Sequence, residues 1–188
     1  LITMGRSGHD DRLAPIAREL VRQGADLHVV ANADSAELWR SMGATFVDQF
    51  ADGTVDDADP TTVPLPARLV TFAARFGKQL AHRLAVIQPR MIVHDSMAVV
   101  AWVVAQELGI PRVTLCARIS FLDESAWDDR AQRGFLTISD ECHAAVEDLR
   151  AQGLPDASPY SFLNIRSDCL NVYAEPAQFL TSAERSVL

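Results

Sequence analysis

The sequence predicts an α/β protein with a Rossmann-like, doubly wound parallel sheet flanked by helices. Short apolar runs typical of buried strands alternate with longer segments whose apolar residues recur every three or four positions. Glycines such as Gly24, Gly43 and Gly109 separate these segments. Strands that alternate with helices form parallel sheets covered on both faces. The 188 residues fit one such domain, so we expect a single domain over residues 1–188.

The first half of the chain contains three predicted strands and two predicted helices. The strands are residues 1–4, 26–31 and 45–47, and the helices are residues 12–23 and 34–43. Gly5 and Gly8 favour a tight turn before the first helix, for which Asp11 is the expected N-cap. Asp34 begins a pattern that resembles a capping box.

The second half repeats this alternation after an irregular segment. Residues 48–64 are rich in Asp, Thr and Pro, which is typical of a solvated surface loop. The alternative interpretation is a mobile rim of a binding cleft. The predicted helices that follow are residues 66–88, 97–108 and 139–151, and the predicted strands are residues 91–93, 112–116 and 169–173.

Composition excludes several classes of function. The net charge is −8 and no cluster of Lys and Arg is present, which argues against a nucleic-acid partner. The longest apolar stretch, residues 97–104, is too short to span a membrane. The three cysteines are far apart, so neither a metal site nor a disulfide framework is predicted. We expect them to be small buried residues in a reducing cytoplasm.

Two polar residues are predicted to meet at one edge of the sheet. His9 follows the first strand, just before the first helix, and Asp95 ends the fourth strand. Ligands of open α/β sheets bind at the carboxyl ends of the strands. The residues alone leave other interpretations open: His9 as a loop histidine that caps or fills space, and Asp95 as a helix N-cap. A phosphate cradle at Gly5 and Gly8 is disfavoured, because the third glycine of a dinucleotide fingerprint and the Lys-Ser/Thr of a P-loop are missing.

Several blocks of the sequence resemble inverting, nucleotide-sugar-dependent glycosyltransferases of the GT-B fold, in particular bacterial enzymes that glycosylate macrolides and other natural products. The Gly8-His9 pair precedes a helix that ends before Gly24, with the spacing found in that family. Residues 41–47 are similar to its Gly-Ala-x-Phe-Val element. Residues 88–95, followed by residues 105–111, are similar to its Pro-Asp-hydrophobic…Asp…Ala-x-x-Leu-Gly-Ile-Pro block. The resemblance covers nearly the whole chain.

The resemblance implies an amino-terminal, acceptor-binding domain. The family's donor-binding domain, which holds the nucleotide and sugar, has no counterpart in these residues, so we expect this chain to be inactive alone. Residues are also expected before Leu1, because the sequence starts inside a strand without an initiator. No metal and no cofactor are implied; the nucleotide-diphosphate sugar is a co-substrate. The resemblance places the family's catalytic base at His9 and its orienting carboxylate at Asp95. A neutral imidazole is suited to take the proton of an acceptor hydroxyl, because its pKa lies near working pH.

The acceptor is expected to be a small natural product, as in antibiotic biosynthesis. Its expected contacts are Ser7, Gly8, Asp10, Phe121, Trp127 and Phe135. Capping and solvation remain the alternative for Asp10, and a place in the domain's own core remains the alternative for the aromatic residues. The family's usual proline after the histidine is Arg12 here, which changes the charge beside the acceptor site. A homodimer is left open, as are two other functions: an auxiliary half that docks on a partner glycosyltransferase, and a nucleotide-sugar epimerase of similar fold.

Overall fold

A computed structural model describes residues 1–5, 7–116, 137–164 and 166–173, together with residues 176 and 178. The strands are β1 (His28–Ala31), β2 (Thr45–Asp48), β3 (Ile92–Asp95), β4 (Arg112–Cys116) and β5 (Leu170–Tyr173). The helices are α1 (Ser7–Arg22), α2 (Ala36–Ser41), α3 (Val55–Ala58), α4 (Leu65–Ala85), α5 (Val100–Leu108), α6 (Asp140–Ala151) and α7 (Ser161–Asn164), with a 3₁₀ turn at Ala33–Ser35.

The amino-terminal segment, residues 1–4, joins the two halves of the sheet. Ile2 forms parallel bridges with Val30 of β1 on one side and His94 of β3 on the other. The pairs β1–β2, β3–β4 and β4–β5 are also parallel. The resulting order, β2, β1, amino-terminal segment, β3, β4, β5, is that of a doubly wound Rossmann-like sheet. The predicted fold class is confirmed.

Helices cover both faces of the sheet, and successive side chains of a strand point to one face and then the other. Val93 packs in the hydrophobic cluster that contains Leu13 of α1, whereas Ile92 packs in the cluster that contains α4, α5 and α6. Side chains two residues apart on a strand share a face. Asp95 therefore faces the layer of α1, and His94 faces the layer of α4 and α5.

Helix α1 begins five residues earlier than predicted. Gly5 adopts φ +76°, and a Cβ there would lie 3.0 Å from the ring of Phe50, so the chain can turn directly from the sheet into the helix. Gly8, which was predicted in a turn, is thus inside the helix, and so is Asp11, which was predicted as the N-cap. Pro15 is in the helix interior instead of its first turn. Packing of this turn against the sheet overrides the weak helix propensity of residues 7–11.

The predicted capping box also lies elsewhere. Asn32 caps the 3₁₀ turn through its side chain, which accepts from the Asp34 N–H, so Asp34 is not the cap. A capping box is formed at the start of α3, between Thr54 and Asp57.

The acidic segment, residues 48–64, is attached to α4 by arginines of that helix. Arg68 pairs with Asp56 at 2.7 Å, and Arg83 pairs with Asp52 at 2.9 Å. Arg75 donates to the Asp57 carbonyl. Residues 48–64 fit neither of the two interpretations, a solvated surface loop or a mobile rim of a cleft. The segment contains a helix and is fixed to the domain by side chains of α4.

Asp59 is the buried anchor of this segment. Its Oδ1 accepts from the N–H groups of Thr61 and Thr62, and its Oδ2 accepts from the hydroxyls of Thr71 in α4 (3.2 Å) and Ser139 (2.9 Å). Ser139 in turn caps α6. Burial opposes ionisation and is the largest single influence, but the hydrogen bonds outweigh it and lower the pKa of Asp59 from 3.8 to about 2.

We expect Asp59→Asn to lower the free energy of unfolding by about 2 kcal/mol at neutral pH, the linkage value of a shift of this size. The folded-state pKa is the depressed one, so this stabilisation is present above pH 3.8 and disappears as the pH falls through about 2. Urea unfolding of both proteins from pH 7 downwards measures the difference.

Asp156→Asn is the control, because Asp156 is exposed and its replacement should change the unfolding free energy by less than about 0.5 kcal/mol. A difference between Asp59→Asn and the wild type that stays constant down to pH 2 would contradict an electrostatic origin.

The cysteines are free, as predicted, but only two of the three are buried. Cys116 and Cys142 are buried, whereas Cys169 is exposed beside the start of β5. Within the residues that the structure describes, no helix combines the length and apolar character needed to cross a membrane.

Candidate active site at the carboxyl edge

The carboxyl ends of neighbouring strands bring His9 and Asp95 together. The Ile2 N–H donates to the Val93 carbonyl, and the Asp95 N–H donates to the Ile2 carbonyl, so the end of β3 lies directly beside the amino-terminal segment. Helix α1 begins at Ser7, and its first turn contains His9. His9 is therefore in the helix and not, as predicted, just before it.

The His9 ring and the Asp95 carboxylate form a hydrogen bond across 86 residues of sequence. Nδ1 of His9 and Oδ2 of Asp95 are 2.7 Å apart, with 17% of the histidine side chain and 3% of the aspartate side chain exposed. Since a carboxylate only accepts, Nδ1 carries the hydrogen. In the neutral ring Nε2 then presents its lone pair, and this is the form of histidine that can accept a proton from a bound alcohol.

Asp95 is held in place on both sides of its carboxyl group. Its Oδ1 accepts from the Met97 N–H at 2.8 Å, while Oδ2 accepts from His9. The alternative role of Asp95, a cap for the following turn, is thus combined with its contact to His9 in one side chain. A carboxylate whose two oxygens are both bound is fixed in orientation, and it fixes the imidazole in turn.

Arg12 lies beside the same imidazole nitrogen. Its Nη2 is 3.0 Å from Nδ1 of His9, one helical turn along α1. Both nitrogens carry hydrogens when Asp95 accepts from His9, so this contact is not a hydrogen bond. Arg12 is exposed, so its positive charge lies on the solvent side of the pair formed by His9 and Asp95.

The other predicted site residues of this turn differ in their surroundings. Gly8 is exposed, and a Cβ placed there would meet no atom of the described residues within 4 Å. Asp10 is 2% exposed, which excludes the solvated role considered for it. Burial raises the pKa of Asp10, and hydrogen bonding with Thr3 and Ser35 opposes that rise. Ser7 begins α1, but its side chain lies outside the described structure.

The predicted aromatic contacts Phe121, Trp127 and Phe135 lie outside the described residues. A different group of aromatic side chains packs beneath Gly5. Phe50 contacts Phe72 edge to face at 5.2 Å, and Phe72 contacts Phe76 at 5.4 Å. Phe72 and Phe76 are four residues apart, so the sequence places them on one side of α4. Nothing in the sequence indicated that Phe50 would pack against them.

Two further polar groups lie next to Asp95 and were not assigned a role from the sequence. His94 is fully buried on the opposite face of β3, as strand alternation predicts. Cys116 ends β4 at the same edge as Asp95, and burial raises the pKa of its thiol. Within the described ranges, no group of three or more His, Cys, Asp or Glu side chains is arranged to hold a metal ion.

Solved structures of glycosyltransferases match this chain over most of its length. CalG4, the calicheamicin glycosyltransferase, is 19% identical, with a TM-score of 0.72 over 98% of this chain. SsfS6 of Streptomyces sp. SF2575, in complex with thymidine diphosphate, is 14% identical, with a TM-score of 0.62 over 95% of this chain. The kitacinnamycin glycotransferase is 20% identical, with a TM-score of 0.62 over 87% of this chain.

No protein-family model and no curated protein matches the chain. The chain spans about half the length of the structures it matches: 48% of CalG4, 49% of SsfS6 and 42% of the kitacinnamycin protein. At these identities the shared property is the fold. The chain has the fold of one Rossmann-like half of a GT-B glycosyltransferase.

Proposed function

We propose that this chain is the acceptor-binding half of a glycosyltransferase that transfers a sugar, with inversion, from a nucleotide diphosphate to a hydroxyl group of a small natural product. The observation that carries the proposal is the 2.7 Å hydrogen bond between His9 and Asp95 at the carboxyl edge. In the neutral ring it leaves Nε2 as the proton acceptor.

The proposed reaction is a single displacement. The acceptor hydroxyl gives its proton to Nε2 of His9 as its oxygen forms a bond to the anomeric carbon. The bond from that carbon to the nucleotide diphosphate breaks, and the diphosphate leaves with the electron pair. Attack from the face opposite the leaving group inverts the anomeric configuration. The carboxylate of Asp95 then stabilises the imidazolium.

The neighbours support the two substrate classes. CalG4 is described as the calicheamicin glycosyltransferase, so the acceptor class proposed here is a natural product. SsfS6 and VinC were solved with thymidine diphosphate, which supports a nucleotide diphosphate as the leaving group. We propose that a second, donor-binding domain supplies most contacts to that nucleotide, and that no metal or cofactor takes part.

The experiment uses the complete protein that contains this chain, a thymidine-diphosphate sugar and a panel of hydroxylated aglycones. The expected result is a glycoside whose anomeric configuration, determined by NMR, is opposite to that of the donor. Isomerised nucleotide sugar formed without acceptor would instead identify an epimerase. Stimulation of another glycosyltransferase without turnover of its own would identify an auxiliary protein.

A further inference from the structure

His94 is a buried histidine with a defined hydrogen-bonding pattern. It is 0% exposed, its Nδ1 is 2.8 Å from the Asp95 carbonyl, and its Nε2 is 3.1 Å from the Thr114 hydroxyl. The carbonyl only accepts, so Nδ1 carries the hydrogen and the Thr114 hydroxyl donates to Nε2. Burial, the strongest influence, lowers the pKa of His94 from 6.5 to about 4, so the ring is uncharged at neutral pH.

The carbonyl that His94 holds belongs to the residue that orients His9. The Asp95 N–H donates to Ile2 at 3.0 Å, and its carbonyl accepts from Ala98 as well as from His94. Its two carboxylate oxygens accept from Met97 and His9. Every polar atom of Asp95 therefore has a partner, and within the described residues His94 contributes the side-chain contact to its main chain.

Core packing alone does not require an imidazole at this position. Ile92, which shares the face, is apolar, and an aliphatic side chain would fill interior space without burying polar atoms. The neighbouring strand supplies the matching hydroxyl, because Thr114 is the register partner of His94. The imidazole thus links the interior of β4 to the main chain of Asp95 at the edge.

We propose that His94 is a positioning residue: its Nδ1–H fixes the Asp95 peptide, and Thr114 fixes the ring, so that the carboxylate remains in hydrogen-bonding contact with His9. The consequence for sugar transfer rests on the proposed function, but the positioning itself does not. In metal sites, removing a group that orients a ligand side chain from behind typically costs about 10–100-fold in affinity or activity, and we expect an effect of similar size here.

Two substitutions separate positioning from packing. In His94→Asn the amide nitrogen takes the place of Nδ1 and can still donate to the Asp95 carbonyl, while the contact with Thr114 is lost. In His94→Gln the amide reaches the place of Nε2 and keeps Thr114, while the contact with Asp95 is lost. Each variant loses one buried hydrogen bond, so we expect similar falls in the free energy of unfolding, about 1–3 kcal/mol.

Positioning predicts different effects on activity in the complete protein. We expect kcat to fall about tenfold or more in His94→Gln and to fall less in His94→Asn, which keeps the contact with Asp95 and loses only Thr114, with KM little changed in both. Equal kcat values in the two variants, or a greater loss in His94→Asn, would overturn the proposal.

A second measurement is independent of sugar transfer. The imidazole nitrogen shifts of His9, measured by NMR, report the fraction of its ring with hydrogen on Nδ1. We expect this fraction to fall in His94→Gln and to persist in His94→Asn. An unchanged His9 tautomer in His94→Gln would overturn the positioning role even if the wild type transfers sugar. A tautomer shift in a protein without transferase activity would support positioning while refuting the proposed function.

Discussion

A His9→Ala variant of the complete protein is expected to transfer sugar about 1000-fold more slowly than the wild type, within the range that a general base contributes. The acceptor hydroxyl would still bind beside Gly8, but no group would take its proton as the new bond forms. The loss should therefore appear in kcat rather than in KM. Steady-state rates at saturating donor and acceptor measure it.

His9→Asn tests whether the proton or the contact matters. The asparagine amide takes the place of Nδ1 and can still donate to Asp95, but it cannot accept a proton, so kcat should be as low as in His9→Ala. His143→Ala is the matched control, because His143 lies exposed on α6. A His9→Asn enzyme with nearly wild-type kcat would show that His9 is not the base.

The meeting of His9 and Asp95 could be predicted because it follows from strand order. In a doubly wound sheet the first strand in the chain, here the amino-terminal segment, is the neighbour of the fourth, here β3. Residues at the carboxyl ends of these two strands therefore lie side by side. The bridges of Ile2 to Val30 and His94 show this arrangement directly. Because successive side chains of a strand point to opposite faces, adjacent residues such as His94 and Asp95 face opposite layers.

The start of α1 could not be predicted, because tertiary contacts decide it. The run from Ser7 to Asp11 is polar and contains a glycine, a composition that favours a loop. In the structure Asp10 is buried near Thr3 and Ser35, groups that belong to two other parts of the chain. Local propensity contains no information about such partners, so the sequence predicted a start of α1 five residues too late.

The acidic segment illustrates the same limit for charges. Arg68, Arg75 and Arg83 are spaced along α4 so that they share one side of the helix. Their spacing is visible in the sequence, but their partners between residues 52 and 57 are set by how the segment folds back on α4. Composition therefore indicated a free loop where the structure has an attached one.

Asp95→Asn is expected to lower kcat by about 10³–10⁴-fold, although the replacement is nearly isosteric. Asp95 accepts hydrogen bonds at both oxygens, from the Met97 N–H and from His9. Asparagine has one oxygen, and the fixed main-chain N–H of Met97 requires it. The NH₂ group must then face Nδ1 of His9, which has to accept the bond. The ring hydrogen moves to Nε2, the atom that the acceptor hydroxyl needs as its proton acceptor.

This orientation argument distinguishes a tautomer effect from a simple loss of negative charge. Asp95→Ala also removes the charge, but it places no amide donor from residue 95 against Nδ1 of His9, so its kcat should be equal to or higher than that of Asp95→Asn. Its folding should be weaker, because the Met97 N–H loses its partner and the buried side chain leaves a void. Unfolding free energies and kcat for both variants, with the His9 nitrogen shifts, measure these effects. If Asp95→Asn kept hydrogen on Nδ1 of His9, or were clearly more active than Asp95→Ala, the assignment of Asp95 as the residue that fixes the tautomer would be wrong.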